Sequence, residues 1–452
     1  MNAVLSDFLW ACAVLGFLGL SFFGVRALQT RAEIKPELSR KLVHMAMAVA
    51  VLPFPWIFAN QATVGIIAGL ATAGLLAVRM LAPKGERDIG GVLYRVGRLR
   101  SVGELVYPLA VAAAYYMAPS PELYLIPILV LGFADSMAAL VGTEYAKRQL
   151  AAQRESPKSA EGAVAFFSAA FICVVSPLLL FSELNGRVIF LVALLSAFMA
   201  MLLELVCSFG LDNFFIPFFI AIFLRGITLY DTNRLWLSFG LMLCYLIVAI
   251  FFIRRQHVTI LGVAQALLVL FLGTLLGGMH WAAAPVIMAF TYSAMPALLP
   301  EERARPLNYH DVETNFIPGL VIIVAGSLVG MPPLAFWIYS SYYACMTAKN
   351  HILRMYHYFP KDKRSVLLSC LRGVLWQLLP AAVMYRFIYA EFPGVMYVVW
   401  AVMAVLAEIL ISIWLARKNI FPIISIRLGW ICSLSSLVLA AGMVILGRFI
   451  NA

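Results

Sequence analysis

The sequence predicts an all-α, polytopic transmembrane helical bundle of about 16 spans. Three observations lead there. Hydrophobic residues make up 63% of the chain and charged residues only 12%, against about a quarter charged in soluble proteins. Apolar runs of about 17–25 residues, enough to cross a bilayer core, recur along the whole length. Lys and Arg gather in alternate connections, the pattern of helices that thread a membrane in turn. The short alternating segments of a transmembrane β-barrel are missing. The formal charge of +11 then reports orientation in the membrane and gives no reason to expect a nucleic-acid partner.

The runs lie at 4–24, 43–59, 62–82, 102–118, 122–144, 162–183, 186–206, 209–224, 235–253, 259–277, 281–298, 316–331, 333–348, 366–389, 394–415 and 429–447. The first lacks a basic leader and a small-residue cleavage site, so it reads as a retained span and not a signal peptide. The run at 209–224 is short and contains Pro217. It reads as a re-entrant or broken helix, a form tolerated where it lines a polar cavity. Basic connections hold Arg26, Arg31, Lys35, Arg40 and Lys41, then Lys84 to Arg100, then Lys147, Arg148, Arg154 and Lys158. The positive-inside rule makes these cytoplasmic, 83–101 and 145–161 among them, and leaves both termini non-cytoplasmic. A bacterial inner membrane is the expected location. The seven cysteines form no CxxC pair, which argues against a zinc knuckle or a disulfide framework. With no repeat or low-complexity linker, the one plausible division falls near Arg254. It separates a membrane domain at 1–253 from a second helical membrane domain at 254–452.

Four polar clusters map to one membrane edge. His44 follows Arg40 and Lys41 by one helical turn and shares their face; snorkelling bases that set topology are the simplest account. Glu104 opens a span, where a carboxylate also suits the helix N-terminus. Asp135 and Ser136 interrupt an apolar run, and a carboxylate there costs about 2.5–3.5 kcal/mol unless it faces a polar interior or a partner. Beyond it, Lys158, Ser159, Glu161 and Gly162 form a turn-rich loop able to hold phosphate. Glu204 lies near the end of an apolar helix, and Asp212 and Asn213 follow in the next turn. That turn suits helix capping, and equally an oxygen-rich Mg²⁺ site. Together the clusters fit phosphoryl or nucleotidyl transfer to a lipid, where positioning and charge neutralisation do most of the catalysis. No P-loop or kinase-type Gly-rich loop is present.

The ordered set Arg40-Lys41-x-x-His44, Gly103-Glu104, Ala134-Asp135-Ser136-x-Ala138-Ala139-x-x-Gly142, Lys158-Ser159-x-Glu161-Gly162 and Glu204…Asp212-Asn213-x-x-Ile216-Pro217 resembles the polyprenol kinase family. That family includes dolichol and phytol kinases and is related to the CTP-using phosphatidate cytidylyltransferases. The resemblance covers about residues 30–225. It implies transfer of the γ-phosphate of CTP, with Mg²⁺, to the hydroxyl of an isoprenoid alcohol held in the bilayer. It places Asp135 and the Lys158–Glu161 loop at the nucleotide–metal site, and matches Arg40, Lys41 and His44 to the early basic motif. The candidates are therefore Asp135, Lys158, Glu161 and His44 as catalytic residues. Arg40, Lys41, Glu104, Ser136, Ser159, Gly162 and Asn213 are candidates for binding nucleotide and substrate, and Asp135, Glu204 and Asp212 for holding the metal. Ala134 stands where the family has Gly, and the loop from Gly142 to Lys158 lacks a glycine-rich turn. In the second half, Thr259–Ala264 and Gly277-Gly278…Trp281 loosely resemble the opening spans of the phytyl-phosphate kinase membrane family, without its later motifs. Asp311, Glu313 and Asn315 suit helix capping there, and Glu408, Arg372 and Arg386 suit pairing inside a bundle.

Two other readings compete. Nucleotidyl transfer to a phospholipid would release pyrophosphate where a kinase releases CDP. A lipid transporter or flippase would show inverted repeats and a midplane site, neither of which the sequence displays.

Overall fold

The computed structural model describes residues 3–31, 33–81, 102–150, 158–207, 209–227, 231–254, 259–293, 318–326, 332–358, 374–389 and 395–417, with a few single positions beyond. The basic stretches 82–101 and 151–157, with Asp311, Glu313, Asn315 and Arg372, lie outside them. The described residues are helical and form no strand; one isolated bridge joins Gln149 to Ser159. Among the described residues, six helices are long and apolar enough to cross a membrane, and several more are apolar but shorter.

The chain divides into two units, Met1–Gly240 and Leu241–Ala452. In the first, α1 is Ala3–Arg31, α2 Pro36–Val51, α3 Phe54–Ile57 and α4 Gln61–Leu81. Next come α5 (Gly103–Met117) and α6 (Pro121–Leu129). A π-helical turn, Val130–Ala134, joins α6 to α7 (Asp135–Glu144). Then follow α8 (Ala160–Phe181), α9 (Gly186–Val206) and α10 (Asp212–Ile227). The last helix of the unit, α11 (Thr232–Arg254), runs past the division.

Helix α9 sits at the centre of this unit. It is apolar on every side, and from Leu191 to Val206 nearly every residue is buried, as expected of a helix with no polar face to turn outward. It packs on α8 and α10. Helix α10 continues unbroken through Pro217, and its 16 residues span about 24 Å, short of a bilayer core of about 30 Å.

Helices α4 and α5 run antiparallel, pinned at two levels. The Tyr116 hydroxyl donates to the Gln61 carbonyl at 2.7 Å, and the Thr72 hydroxyl donates to the Leu105 carbonyl at 3.3 Å. At the far end of α1, Asp7 accepts from the Ala59 and Asn60 amides and the Thr63 hydroxyl. A carboxylate within an apolar helix is thereby fully used in tying α1 to the start of α4.

The π turn meets α2 at Gly132, where an added Cβ would come within 2.2 Å of the Ala48 Cβ. Neither atom can swing aside. Gly132→Ala is expected to cost about 1–3 kcal/mol by overpacking, read as a lower thermal unfolding midpoint in detergent. An unchanged midpoint would show that this contact is not tight.

In the second unit, α12 (Ile260–Leu272) passes through a π turn (Gly273–Gly277) and a 3₁₀ turn (Met279–Ala282) into α13 (Ala283–Ser293). After a helix at 318–326 come α14 (Pro332–Tyr358), a π turn (Val374–Leu378), α15 (Leu379–Tyr389) and α16 (Val395–Arg417). Its core is aromatic, built on Trp281, Phe336, Tyr339, Tyr342 and Tyr343. Gln377 donates to the Ala284 carbonyl and to the Thr347 hydroxyl, both at 3.1 Å. Glu408 is fully buried on α16.

Candidate functional site

The candidate site forms where α2, α7, α8, α9 and α10 meet at one end of the first unit. Its centre is three carboxylates, Asp135, Glu204 and Asp212. One oxygen from each lies within 4.8 Å of the others. Asp135 and Glu204 are 8% and 7% exposed, so their mutual repulsion is poorly screened by water. Two lysines offset it. Lys41, 3% exposed, contacts Asp135 at 2.5 Å, and Lys158 pairs with Glu204.

Each of these side chains is positioned by a local device. The π turn has an altered hydrogen-bond ladder, a feature frequent at functional sites. It brings the Leu131 carbonyl within 3.0 Å of His44 Nε2. A carbonyl only accepts, so Nε2 carries the hydrogen and, in the neutral ring, Nδ1 keeps the lone pair. The same Nε2 is 3.5 Å from Asp135, and the ring packs edge-on against Tyr107 at 5.2 Å between centroids.

Lys158 is fixed by its backbone. Its carbonyl accepts from the Leu150 amide at 2.7 Å, and the Ala160 amide donates to the Arg148 carbonyl at 3.0 Å. Ser159 caps α8 by accepting from the Gly162 amide at 3.0 Å, the usual part of a serine at this position. Gly162 lets α8 approach α7 closely. A Cβ there would stand 3.1 Å from the Ala138 carbonyl oxygen and 3.4 Å from the Gly142 Cα.

The Asp212 side is set by the turn at Phe209–Leu211. Phe209 and Gly210 have φ of 59° and 80°; the first is uncommon for a non-glycine residue and the second suits glycine. The Val102 amide donates to the Phe209 carbonyl at 2.8 Å. Gly103 allows the approach, since a Cβ there would lie 2.7 Å from Asn213 Nδ2. The first turn of α5 therefore lies against the start of α10, and the charges of Arg40, Arg79 and Asp212 act on Glu104.

Most of the residues picked out in the sequence come together here, but not all in the expected part. Asp135, Glu204, Asp212, Lys41, Lys158 and His44 converge. Arg40 and Glu104 form an adjoining group. The Ser136 hydroxyl donates to the Gly132 carbonyl at 2.6 Å, a bond within its own helix. Ser159, Gly162 and Asn213 shape the backbone around the charges. Glu161 faces the preceding loop, where the Arg148 amide donates to it at 3.4 Å, and it is not one of the three converging carboxylates.

Sequence reasoning missed the Leu131 carbonyl, which lies in the π turn and meets the histidine.

Lys158 precedes α8. Its burial favours the neutral amine, but Glu204, then Asp212 and Asp135, outweigh this and hold the ammonium above its ordinary value of 10.5. The donors suit a hard divalent cation: all three are carboxylates, and the second oxygen of Glu204 is buried with no hydrogen-bond partner. Oxygen-only sites of this kind match Mg²⁺ chemistry.

No family model matches the chain, and no solved structure matches it. A phytol kinase of Synechocystis is 30% identical over 196 residues, covering 42% of this chain and 79% of that protein.

Proposed function

The chain belongs to the polyprenol/phytol kinase-like family, and from that premise we propose that it transfers the γ-phosphate of CTP to the hydroxyl of an isoprenoid alcohol. The observation that carries this reading is the trio of Asp135, Glu204 and Asp212 within 4.8 Å, flanked by Lys41 and Lys158. Carboxylates alone would repel a polyphosphate. With a Mg²⁺ between them and lysines alongside, the same group attracts one.

In this reading Asp135, Glu204 and Asp212 hold the metal, which when bound neutralises phosphate oxygens. Lys158, with Arg40 and Lys41, balances charge on the phosphates. The acceptor oxygen forms a bond to the γ-phosphorus while the bond to the bridging oxygen of CDP breaks. The hydroxyl proton passes to a base, for which His44 offers Nδ1, its Nε2 being engaged with the Leu131 carbonyl. The site opens on the cytoplasmic face, where CTP is available, and the alcohol's chain stays in the bilayer.

The test uses purified protein in lipid nanodiscs with γ-labelled CTP, Mg²⁺ and a panel of phytol, polyprenols and diacylglycerol. Label transferred to an isoprenoid alcohol, with release of CDP and dependence on Mg²⁺, is the expected result. Pyrophosphate release, with label absent from the lipid, would replace this reading by nucleotidyl transfer.

A further inference from the structure

Tyr107 stands where the charged site meets the apolar interior of the first unit. It lies on α5 three residues after Glu104, and its ring packs edge-on against His44 with 5.2 Å between centroids. It also belongs to an apolar cluster with Ala48, Val111 and Leu131. Tyr107 is 3% exposed, and its hydroxyl is buried with no hydrogen-bond partner. Nearby tyrosines are used otherwise. Tyr124, in the same cluster, donates to the Val51 carbonyl at 3.0 Å, and Tyr116 donates to the Gln61 carbonyl at 2.7 Å. A phenylalanine would pack against His44 equally well and would leave no hydroxyl in apolar surroundings. A buried polar group without a partner calls for a specific account.

His44 supplies the complement. Its Nε2 is held by the Leu131 carbonyl at 3.0 Å, so in the neutral ring Nδ1 keeps the lone pair. The two side chains together offer one O–H donor and one nitrogen acceptor. An alcohol group has one hydrogen and two oxygen lone pairs. It can donate to Nδ1, accept from Tyr107 through one lone pair and keep the other for phosphorus.

We propose that Tyr107 is a substrate-binding residue whose hydroxyl donates to the oxygen of a neutral lipid alcohol, with the hydrogen of that alcohol aimed at His44 Nδ1. This rests on the kinase reading for the transfer that follows. There the proton goes to Nδ1, the second lone pair forms the bond to the γ-phosphorus, and the bond to the bridging oxygen breaks to release CDP. Buried as it is, Tyr107 is reached through the apolar cluster, the side on which a hydrocarbon tail is at home. A phospholipid acceptor would bring anionic oxygens that a phenol and a neutral imidazole carry no charge to meet. The competing role for Tyr107 is that of a packing residue, for which the hydroxyl is irrelevant.

Tyr107→Phe in nanodiscs separates the two, because it keeps the ring on His44 and removes only the hydroxyl. Initial rates are measured with varied phytol and then with varied CTP. Binding of radiolabelled phytol is measured on the same samples as the portion displaced by unlabelled phytol but not by phytane, which has the tail and no hydroxyl. Tyr107→Phe is expected to raise the KM for phytol about threefold to tenfold, the loss of one neutral hydrogen bond. The displaceable binding should weaken in parallel, and the KM for CTP should stay near wild type. The unfolding midpoint should hold or rise, since the hydroxyl removed had no partner. Unchanged phytol KM and displaceable binding would overturn the proposal and leave the kinase reading standing. A lower midpoint with both KM values raised alike would also overturn it, making the hydroxyl a structural group. If the wild-type protein phosphorylates no alcohol, the kinase reading falls and the binding measurement still decides. Weaker displaceable binding in Tyr107→Phe then supports an alcohol site at Tyr107. Equal binding, or none by wild type, overturns it.

Discussion

Asp135→Asn is expected to remove turnover, by on the order of a hundredfold to a thousandfold or more, as for other groups that set the charge around a reacting centre. Loss of activity alone would be ambiguous, because the substitution also strands Lys41. That ammonium is 3% exposed and pairs with Asp135 at 2.5 Å. Breaking a buried pair from one side costs about 3–5 kcal/mol. The double variant Asp135→Asn, Lys41→Gln removes both charges and with them the stranded one. It should recover the unfolding midpoint and still be inactive, since the carboxylate proposed to hold the metal is not restored. If Asp135→Asn turns over like wild type, Asp135 is a structural partner of Lys41 and nothing more.

Replacement of Lys158 should have the second largest effect. Lys158→Ala leaves Glu204, 7% exposed, without its cation, and should lower turnover about a hundredfold or more. Lys158→Arg keeps the positive charge but exchanges a compact ammonium for a broad planar fork. Paired with Glu204 beside the capped start of α8, that variant should insert normally and still lose most of the activity. Wild-type rates in both variants would reduce Lys158 to an anchor.

The pH dependence follows from the same pair. Because the ammonium is held above its ordinary 10.5, the part of the stabilisation that depends on the Lys158 proton is fully present below that value and is lost only as pH rises through the elevated one. Lys158 should therefore put no limb on the rate profile near neutrality. A basic limb there that vanishes in Lys158→Arg would contradict this.

Much of the site was legible in the sequence for one physical reason. A charge inside an apolar run is costly enough to stand out, so Asp135 and Glu204 could be seen singly. What composition cannot show is pairing. That Lys41 meets Asp135, and Lys158 meets Glu204, depends on how helices far apart in the chain pack. The π turn before Asp135 was invisible because it alters a single turn of an otherwise helical, apolar stretch. Glu161 looked like a member of the site because it adjoins Lys158, but neighbours in sequence at a helix start point in different directions. Helical membrane architecture was plain from hydropathy. The number of crossings was not, because an apolar helix such as α10 is too short for its length alone to say whether it spans.

The two buried pairs share an order along the chain. Lys41 precedes Asp135 by 94 residues and Lys158 precedes Glu204 by 46. At about 5–20 residues per second of synthesis, the lysines wait about 5–20 s and about 2–9 s for their carboxylates. During that interval a lysine can only keep its head at the water edge, its stem lying along the apolar surface. Each cation can be drawn inward only when its acid arrives. Assembly of the charged centre cannot be completed until Glu204, and then Asp212, have left the ribosome.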